Sequence, residues 1–324
     1  MKRLVSGIKP TGDLHLGNYL GAIKQWVELQ NDHDCFFFIA DYHALTTRPK
    51  PEDLSRRTLE LTAALMALGI DPRSSVLFAQ SDVPEHAELS WILSNFVSMG
   101  ALNRMTQYKE KKDQYGQNAG LYTYPILMAA DIVIYGAEVV PVGEDQVQHL
   151  ELAREIVRSV NSHTGKNTLV EPKPLLTKTA RVMSLNNPEI KMSKSLPGGA
   201  IGILDTEEEI VRNIKRAVTD SDPAAPVKGK GLQNLFDILY DISAPETSAK
   251  LEKLYADGKL QYSELKEQLI EDILAFLGPV QKTYQSLIKD PELLRKTLRH
   301  GADKARPIAQ ELLRKIKTDV GLIN

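Results

Sequence analysis

The chain has 324 residues, 42% of them hydrophobic and 25% charged, so it can bury a full core and divide into two domains. Its formal net charge of −2 argues against a uniformly basic protein that coats DNA, although it leaves room for local basic patches. The single cysteine, Cys35, excludes a disulfide framework and fits an inert buried thiol.

The N-terminal residues lack the apolar core of a signal peptide. A long apolar stretch at 126–140 is interrupted by Asp131 and Glu138, so it does not resemble a transmembrane helix. We therefore expect no membrane partner and a location in the cytoplasm.

The first half of the chain alternates short apolar runs with amphipathic segments. Apolar runs of strand length predict strands at 3–7, 35–40, 75–80 and 137–143. Apolar residues at helical spacing predict helices at about 16–30, 54–68, 86–100 and 147–160. This alternation is typical of right-handed βαβ units that build a parallel sheet.

The pattern changes beyond Gly199. The sequences there are helical, with no convincing strand among them: TEEEIVRNIKRAV, GLQNLFDILYDI, SAKLEKLY, YSELKEQLIEDILAFLGPVQKTYQSLI and IAQELLRKIKTDV. We therefore predict an α/β domain over residues 1–195 and an all-helical domain over residues 196–324. The last helix is free to pack back on the first domain.

A glycine-rich turn, SGIKPTGDLHLGNYLGA, joins the first strand to the first helix. In a parallel α/β sheet this turn lies at the carboxyl end of a strand, where ligands bind. A helix that begins near Leu16 offers free N–H groups to an anion, and His15 and Asn18 add donors. An ordinary βα turn with a surface histidine explains the same residues, and this segment alone favours neither interpretation.

A second polar segment, NNPEIKMSKSLPGG at 186–199, contains Lys191 and Lys194 with two serines and little for a core. A solvated loop is the simplest interpretation of it. A catalytic role for the lysines requires evidence from the rest of the sequence that the protein binds an anion.

Taken together, HLGN at 15–18 and KMSKS at 191–195 resemble the two signature sequences of class I aminoacyl-tRNA synthetases. KMSKS matches letter for letter, and HLGN is a variant of the family's His-Ile-Gly-His. Within that class the chain resembles the tryptophanyl-tRNA synthetases over essentially its whole length. The segments that carry this likeness are GNYLGA, ADYHALT, RMTQYKEK, YPILMAADI and PVGEDQVQHLELAREI.

The resemblance implies a Rossmann-like, nucleotide-binding α/β domain and a helical, anticodon-binding domain. It implies that L-tryptophan is activated with ATP to tryptophanyl-adenylate and pyrophosphate, and is then transferred to the terminal adenosine of tRNA(Trp). A flexible loop that holds donors where charge develops on pyrophosphate is an effective form of electrostatic catalysis. The resemblance also implies Mg²⁺ without a dedicated protein cage, and a homodimer.

The residues that match family positions fall into three groups. The catalytic group is His15, Asn18, Lys111, Lys191 and Lys194. The ATP group is Lys9, Pro10, Thr11, Gly17, Asn18, Gly143, Glu144, Asp145, Val182, Lys191, Met192, Ser193, Lys194 and Ser195. The tryptophan group is His43, Tyr124, Met128, Asp131 and Gln146. No residue is assigned to a metal.

Several of these assignments have simpler competitors. A buried Asp131 bonded to a tyrosine hydroxyl or a cation is a structural alternative, and a carboxylate accepts from a phenol as readily as from an indole. Asp145 suits a helix N-cap, and Lys111 suits a basic surface turn. Lys9 stands where many bacterial members carry glutamine, so its contact is open between an ATP oxygen and the amino-acid carboxylate.

Three other functions compete with the tryptophan enzyme. They are the related tyrosyl enzyme, a small nucleotidyltransferase with the same His-x-Gly turn, and a tRNA-binding paralogue without catalysis. Intact His15, Lys191 and Lys194 argue against the last. Candidate tRNA contacts on the helical half are Arg212, Lys215, Arg216, Arg295, Lys296 and Arg299, each of which a solvated helix face also explains.

Overall fold

A computed structural model describes residues 1–105, 118–143, 146–176, 182–194, 197–220 and 227–323. Its centre is a five-stranded parallel sheet with strand order β3-β2-β1-β4-β5. The strands are β1 (Arg3–Ile8), β2 (Asp34–Ile39), β3 (Val76–Ala79), β4 (Val139–Val142) and β5 (Lys173–Leu176). The predicted parallel α/β sheet is confirmed. The fifth strand was not predicted, because its sequence KPLL is short and carries a proline.

Both faces of the central strands are covered, as the continuous apolar run of β2 predicts. Trp26 stacks on Phe37 with ring centroids 5.1 Å apart, and Tyr135 stacks on Phe36 at 4.8 Å. These successive residues of β2 point to opposite faces, so each face is packed by an aromatic side chain.

Helices follow most of the strands. They are α1 (Leu16–Asn18), α2 (Lys24–Leu29), α3 (Asp41–Ala44), α4 (Pro51–Ala67), α5 (Glu85–Leu93), α6 (Met99–Asn103), α7 (Ala119–Val133) and α8 (Val147–Thr164). A π-helical turn at Tyr19–Ile23 joins α1 to α2. The later helices are α9 (Glu207–Lys215), α10 (Lys230–Ile242), α11 (Pro245–Ala256), α12 (Tyr262–Leu287) and α13 (Pro291–Asp319). Among the described residues, no helix has both the length and the hydrophobicity to cross a membrane.

Two helix predictions need correction. The helix predicted at 86–100 is α5 followed by a separate α6, since Ser98 is extended and its hydroxyl accepts from the Ala101 amide to cap the second helix. In the segment containing Asp131, the sequence suggests a helix that opens with Pro125, because proline suits a first helical turn. The helix does not open there. It begins at Ala119, because Asn118 caps the helix by accepting from the Leu121 amide, and Pro125 lies in the interior.

The chain forms two compact units. The first contains Met1–Thr11, Trp26–Thr177 and Asp290–Asn324, and the second contains Gly12–Gln25 and Lys178–Lys289. The first unit therefore contains the sheet and α13, and the second contains the HLGN segment together with the KMSKS segment. The division into functional domains at residue 195 stays a prediction.

Within the first unit α13 lies directly against β3. Gly301 packs so closely on the backbone of Leu77 that a Cβ atom at this position would overlap the carbonyl group. Further along the helix, Arg306 donates to the carbonyl oxygen of Asp82 at 2.7 Å, and Gln310 donates to Glu85 at 2.8 Å. Close backbone packing at one glycine thus sets the distance between helix and sheet.

We expect Gly301→Ala to destabilise the protein by about 1–3 kcal/mol or more, because the added methyl group meets backbone rather than a movable side chain. The measurement is the thermal unfolding midpoint followed by circular dichroism. Gly278→Ala in α12 is the matched control, since a Cβ there meets no atom within 4 Å. A Gly301→Ala midpoint equal to that of the control would contradict the packing argument.

Candidate active site

The HLGN segment is fixed within the second unit by backbone pairing. The His15 amide donates to the Asn18 side chain at 3.0 Å, and the Asn18 amide donates to the His15 carbonyl at 2.8 Å. The segment also pairs with residues 201–203, where the Leu16 amide donates to the Ile201 carbonyl at 2.8 Å. Asn18 therefore closes the turn that presents the His15 side chain.

The KMSKS segment packs against this turn. Lys191 forms an antiparallel bridge with Met183, and the Met192 amide donates to the Val182 carbonyl at 3.1 Å. Met192 and Val182 are buried. A Cβ atom on Gly17 would lie 3.3 Å from the Met192 Cβ and 3.0 Å from the His15 ring, so glycine at this position permits the close packing. The two motifs that resemble a synthetase signature are thus neighbours in space.

The two lysines change the chemistry of His15. Burial and the positive charges of Lys191 and Lys194 lower the pKa of His15 from 6.5 to about 4. The imidazole is therefore neutral at physiological pH and can donate or accept a hydrogen bond. A neutral histidine beside two ammonium groups is an arrangement suited to a polyanion such as a triphosphate.

Lys194 is held by carboxylates. Its ammonium group lies 2.9 Å from Asp205 Oδ1 and 3.8 Å from Asp13 Oδ2. The other oxygen of Asp205 accepts from the Gly202 amide at 2.6 Å, so this carboxylate is itself fixed. Sequence reasoning missed both aspartates, because nothing in their spacing separates them from ordinary surface residues.

A second cluster of site candidates lies in the first unit, around Asp131 on α7. This side chain is only 2% exposed. His43 Nε2 lies 2.7 Å from Oδ2, whereas Gln80 Nε2 and His86 Nδ1 lie 2.7 and 2.6 Å from Oδ1. Burial raises the pKa of Asp131, but attraction to His43 and hydrogen bonds from His43 and His86 outweigh it and lower the pKa to about 2. The carboxylate is therefore ionised.

Tyr124 lies beside this cluster. Its hydroxyl is 2.6 Å from His149 Nε2, and its ring makes an edge contact with His43 at 6.2 Å between centroids. The ammonium group of Lys9 lies 5.4 Å from the centre of the same ring. Met128, one turn before Asp131 on α7, is half-buried against the core. An aromatic side chain near an ionised acceptor suits an apolar ligand with one N–H or O–H donor.

Several of the remaining predicted residues follow the ends of strands. Pro10 and Thr11 follow β1, where the Thr11 amide donates to the Lys9 carbonyl at 2.8 Å. Gly143 follows β4, and its carbonyl accepts from the Gln146 amide at 2.9 Å. The strand order reverses between β1 and β4, which is where open parallel sheets bind ligands. Ser193 is half-buried beside Lys194.

Four predicted residues, Lys111, Glu144, Asp145 and Ser195, lie outside the described residues. Within the described ranges, no group of three histidine, cysteine, aspartate or glutamate side chains is arranged to hold a metal ion. Sequence reasoning also missed four side chains near Asp131 and Tyr124. These are Gln80, His86, Tyr135 and His149, and only the polarity of Gln80 and His86 beside an apolar strand hinted at them.

Comparison with known proteins identifies the family of the chain. The family model "tRNA synthetases class I (W and Y)" matches residues 1–278. A tryptophan–tRNA ligase of Caldanaerobacter subterraneus subsp. tengcongensis is 45% identical over 330 residues, covering 100% of this chain and 99% of its own. That of Clostridium perfringens is 45% identical over 328 residues, covering 99% and 98%.

A solved structure extends the likeness to three dimensions. Tryptophanyl-tRNA synthetase from Campylobacter jejuni, complexed with ADP and tryptophan, superposes with a TM-score of 0.86 at 39% identity, covering 99% of this chain and 100% of its own. Since the family model and the relatives cover most or all of the chain, this protein belongs to the class I tRNA synthetases of the tryptophan and tyrosine family.

Proposed function

We propose that this chain is a tryptophan–tRNA ligase, which activates L-tryptophan with ATP and transfers it to tRNA(Trp). The relatives of this name share its full length, and the Campylobacter jejuni enzyme was crystallised with ADP and tryptophan. The observation that carries the proposal is the placement of His15 within electrostatic reach of both Lys191 and Lys194. This arrangement of one neutral imidazole and two ammonium groups is suited to nucleotide chemistry.

In the first step the tryptophan carboxylate attacks the α-phosphorus of ATP. The bond from that phosphorus to the bridging oxygen breaks, and pyrophosphate leaves with the electron pair. Lys191 and Lys194 stabilise the charge that grows on pyrophosphate, and neutral His15 donates to a phosphate oxygen. The Lys194 ammonium group has to leave Asp205 before it contacts the phosphates. Because it exchanges one anionic partner for another, the exchange does not carry a large desolvation cost for the lysine.

Other residues of the site bind the two substrates. The residues assigned to ATP from the sequence bind the nucleotide, and Lys111 supplies a further donor. Asp131 accepts from the indole N–H, and His43, Tyr124, Met128 and Gln146 line the side chain of tryptophan. The ammonium of Lys9 over the Tyr124 ring favours the amino-acid carboxylate as its contact.

In the second step the 2′-hydroxyl of the terminal adenosine of tRNA attacks the carbonyl carbon of tryptophanyl-adenylate, and AMP leaves. The exposed cations on α9 and α13 are candidates for tRNA phosphate contacts. The protein works as a homodimer in the cytoplasm. Trp91 on α5 is 75% exposed, which suits burial against a second copy.

Magnesium fits this site as a partner of the phosphates. The described residues offer no carboxylate cage, and Mg²⁺ bound to a nucleotide keeps mostly water and phosphate oxygens as ligands. When bound, it neutralises charge on the triphosphate. The lysines and His15 still position that triphosphate.

Pyrophosphate exchange with each of the twenty amino acids tests the substrate. We expect exchange with tryptophan, and a loss of at least about 10²-fold with tyrosine, because a site shaped for indole leaves unfilled volume around a phenol. Equal rates of exchange with tyrosine and with tryptophan would show that tryptophan is not the sole substrate. Absence of exchange with retained tRNA binding would favour the non-catalytic paralogue.

For Lys194→Ala we expect the rate of adenylate formation to fall about 10²–10³-fold, since it removes a donor needed where charge develops. Single-turnover release of pyrophosphate measures this rate. Lys230→Ala is the matched control, because that lysine pairs at the surface with Glu189. A Lys194→Ala rate within twofold of wild type would contradict the assigned role.

His15 provides a test that depends on pH. We expect its ring to titrate at about pH 4 in the free protein, as measured by NMR of carbon-labelled histidine. Lys194→Gln should raise this midpoint, since it removes a positive charge, and a bound non-hydrolysable ATP analogue should raise it further. An unchanged midpoint with the analogue bound would contradict the proposed contact between His15 and the phosphates.

The same pKa affects stability. The unfolded chain binds a proton at His15 near pH 6.5, whereas the folded chain binds it only near pH 4. The contribution of this group to the free energy of unfolding is therefore complete above about pH 6.5 and is lost as the pH falls toward 4. Urea unfolding across this window should show a shallower dependence on pH for His15→Gln.

A further inference from the structure

A network of buried polar side chains is hydrogen-bonded to Asp131 and takes no part in the reaction steps described above. Gln80, His86 and Tyr135 are each 0% exposed. His86 uses both ring nitrogens, with Nδ1 2.6 Å from Asp131 Oδ1 and Nε2 2.7 Å from the Tyr135 hydroxyl. The rings of Phe38 and Phe78 pack against His86 at 5.8 and 6.1 Å between centroids.

Burial of this network of polar side chains is costly in free energy if its role is only structural. Gln80 Oε1 is buried and has no hydrogen-bond partner among the described residues, and the same holds for Glu85 Oε2. A buried polar atom without a partner loses its hydrogen bonds to water and gains none in return. Apolar side chains of similar volume would avoid these costs, so the polar groups indicate a purpose other than packing.

One assignment of the ring protons of His86 satisfies both of its contacts. Burial, with Asp131 and Glu85 nearby, raises the pKa of Tyr135, so its hydroxyl keeps the proton. When this hydroxyl donates to His86 Nε2, that nitrogen carries no proton and the neutral ring is protonated at Nδ1. The Nδ1–H then donates to Asp131, which is ionised and therefore acts only as an acceptor.

The carboxylate is occupied unequally. Oδ1 accepts from Gln80 and His86, whereas Oδ2 has His43 as its one donor among the described residues. A carboxylate oxygen accepts about two hydrogen bonds. Oδ2 is therefore the oxygen with capacity for a ligand, and the two donors on Oδ1 prevent the carboxylate from rotating to exchange them.

We propose that His86, held in its Nδ1–H tautomer by Tyr135, is a positioning residue that fixes Asp131 Oδ2 for the indole N–H of tryptophan. The inference rests on the proposed function and adds to it a second layer of specificity. Neither His86 nor Tyr135 contacts the substrate in this role. Their effect is confined to the strength and direction of one hydrogen bond.

The experiment compares tryptophan with 3-(3-benzothienyl)alanine, in which sulfur replaces the indole N–H at nearly the same volume. In pyrophosphate exchange we expect Tyr135→Phe to lower kcat/KM for tryptophan about tenfold, mostly through KM, because the hydrogen bond to an ionised group is weakened. The analogue makes no such bond, so its kcat/KM should stay within twofold. Discrimination between the two substrates should fall accordingly.

Tyr122→Phe is the matched control, because it removes a hydroxyl that bonds to Asn103 at 3.1 Å on the surface of α7. It should leave discrimination unchanged. His86→Asn should retain discrimination, since its amide N–H replaces Nδ1–H, whereas His86→Leu should lose it. Equal losses for both substrates in Tyr135→Phe, or no loss for either, would overturn the proposal.

A second readout does not depend on the variants folding. Nitrogen NMR of labelled wild-type protein should show His86 protonated at Nδ1 and unprotonated at Nε2. A proton on Nε2 would overturn the proposal. Failure of wild type to exchange with tryptophan would instead remove the proposed function, and wild type without preference for tryptophan over the analogue would remove the Asp131–indole contact.

Discussion

The first unit is organised around one buried negative charge. The Asp131 carboxylate lies in an apolar helix, where an unpaired charge would cost several kcal/mol. Its donors come from separate parts of the sheet, since His43 follows β2 while Gln80 and His86 follow β3. Satisfying this charge ties the carboxyl ends of two strands to α7. The same requirement that stabilises the fold therefore assembles the acceptor that we propose for the indole N–H.

In the second unit the charges that have to be stabilised are positive. Burial, together with the positive charges of Lys191 and Lys194 beside it, lowers the pKa of His15 and keeps the ring neutral. Lys194 is balanced by Asp205, a carboxylate that also closes the local backbone turn through the Gly202 amide. Positive charge is thus concentrated here without an obligatory internal partner for every group, which is the condition for binding a polyanion. Its exposure to solvent limits the strength of the ion pair, so a triphosphate can compete for the lysine.

Much of the fold could be predicted from local patterns. Apolar runs identified β1 to β4, and helical spacing identified most helices, because these signals depend on neighbours in sequence. β5 and the N-terminal half of α13 were not predicted. In KPLL the signal is four residues long with a proline, and its pairing with β4 is a tertiary contact. Likewise the start of α7 is determined by the Asn118 cap, which outweighs the expectation that Pro125 opens a helix.

The same distinction between local patterns and tertiary contacts applies to the prediction of the site. HLGN and KMSKS were found because each is a contiguous motif, and their contact through Gly17 and Met192 agrees with that expectation. Asp131 was found on α7, but its partners were not, because a hydrogen bond between residues 45 positions apart leaves no periodic trace in the sequence. His86 illustrates this limit well. On a helix beginning at Glu85 it is an unremarkable polar residue, and only its position between Asp131 and Tyr135 gives it a chemical role.

Specificity in such a pocket depends on what the acceptor is prevented from doing. A carboxylate that rotates freely accepts from an indole, a phenol or water with little preference. Two donors on one oxygen and one on the other make the acceptor directional, so a ligand with its donor misplaced leaves a buried lone pair unsatisfied. In the proposed site, rejection of the wrong amino acid comes from the unpaired acceptor as much as from shape. Burial of Gln80 and His86 in an aromatic core keeps both donors on Oδ1.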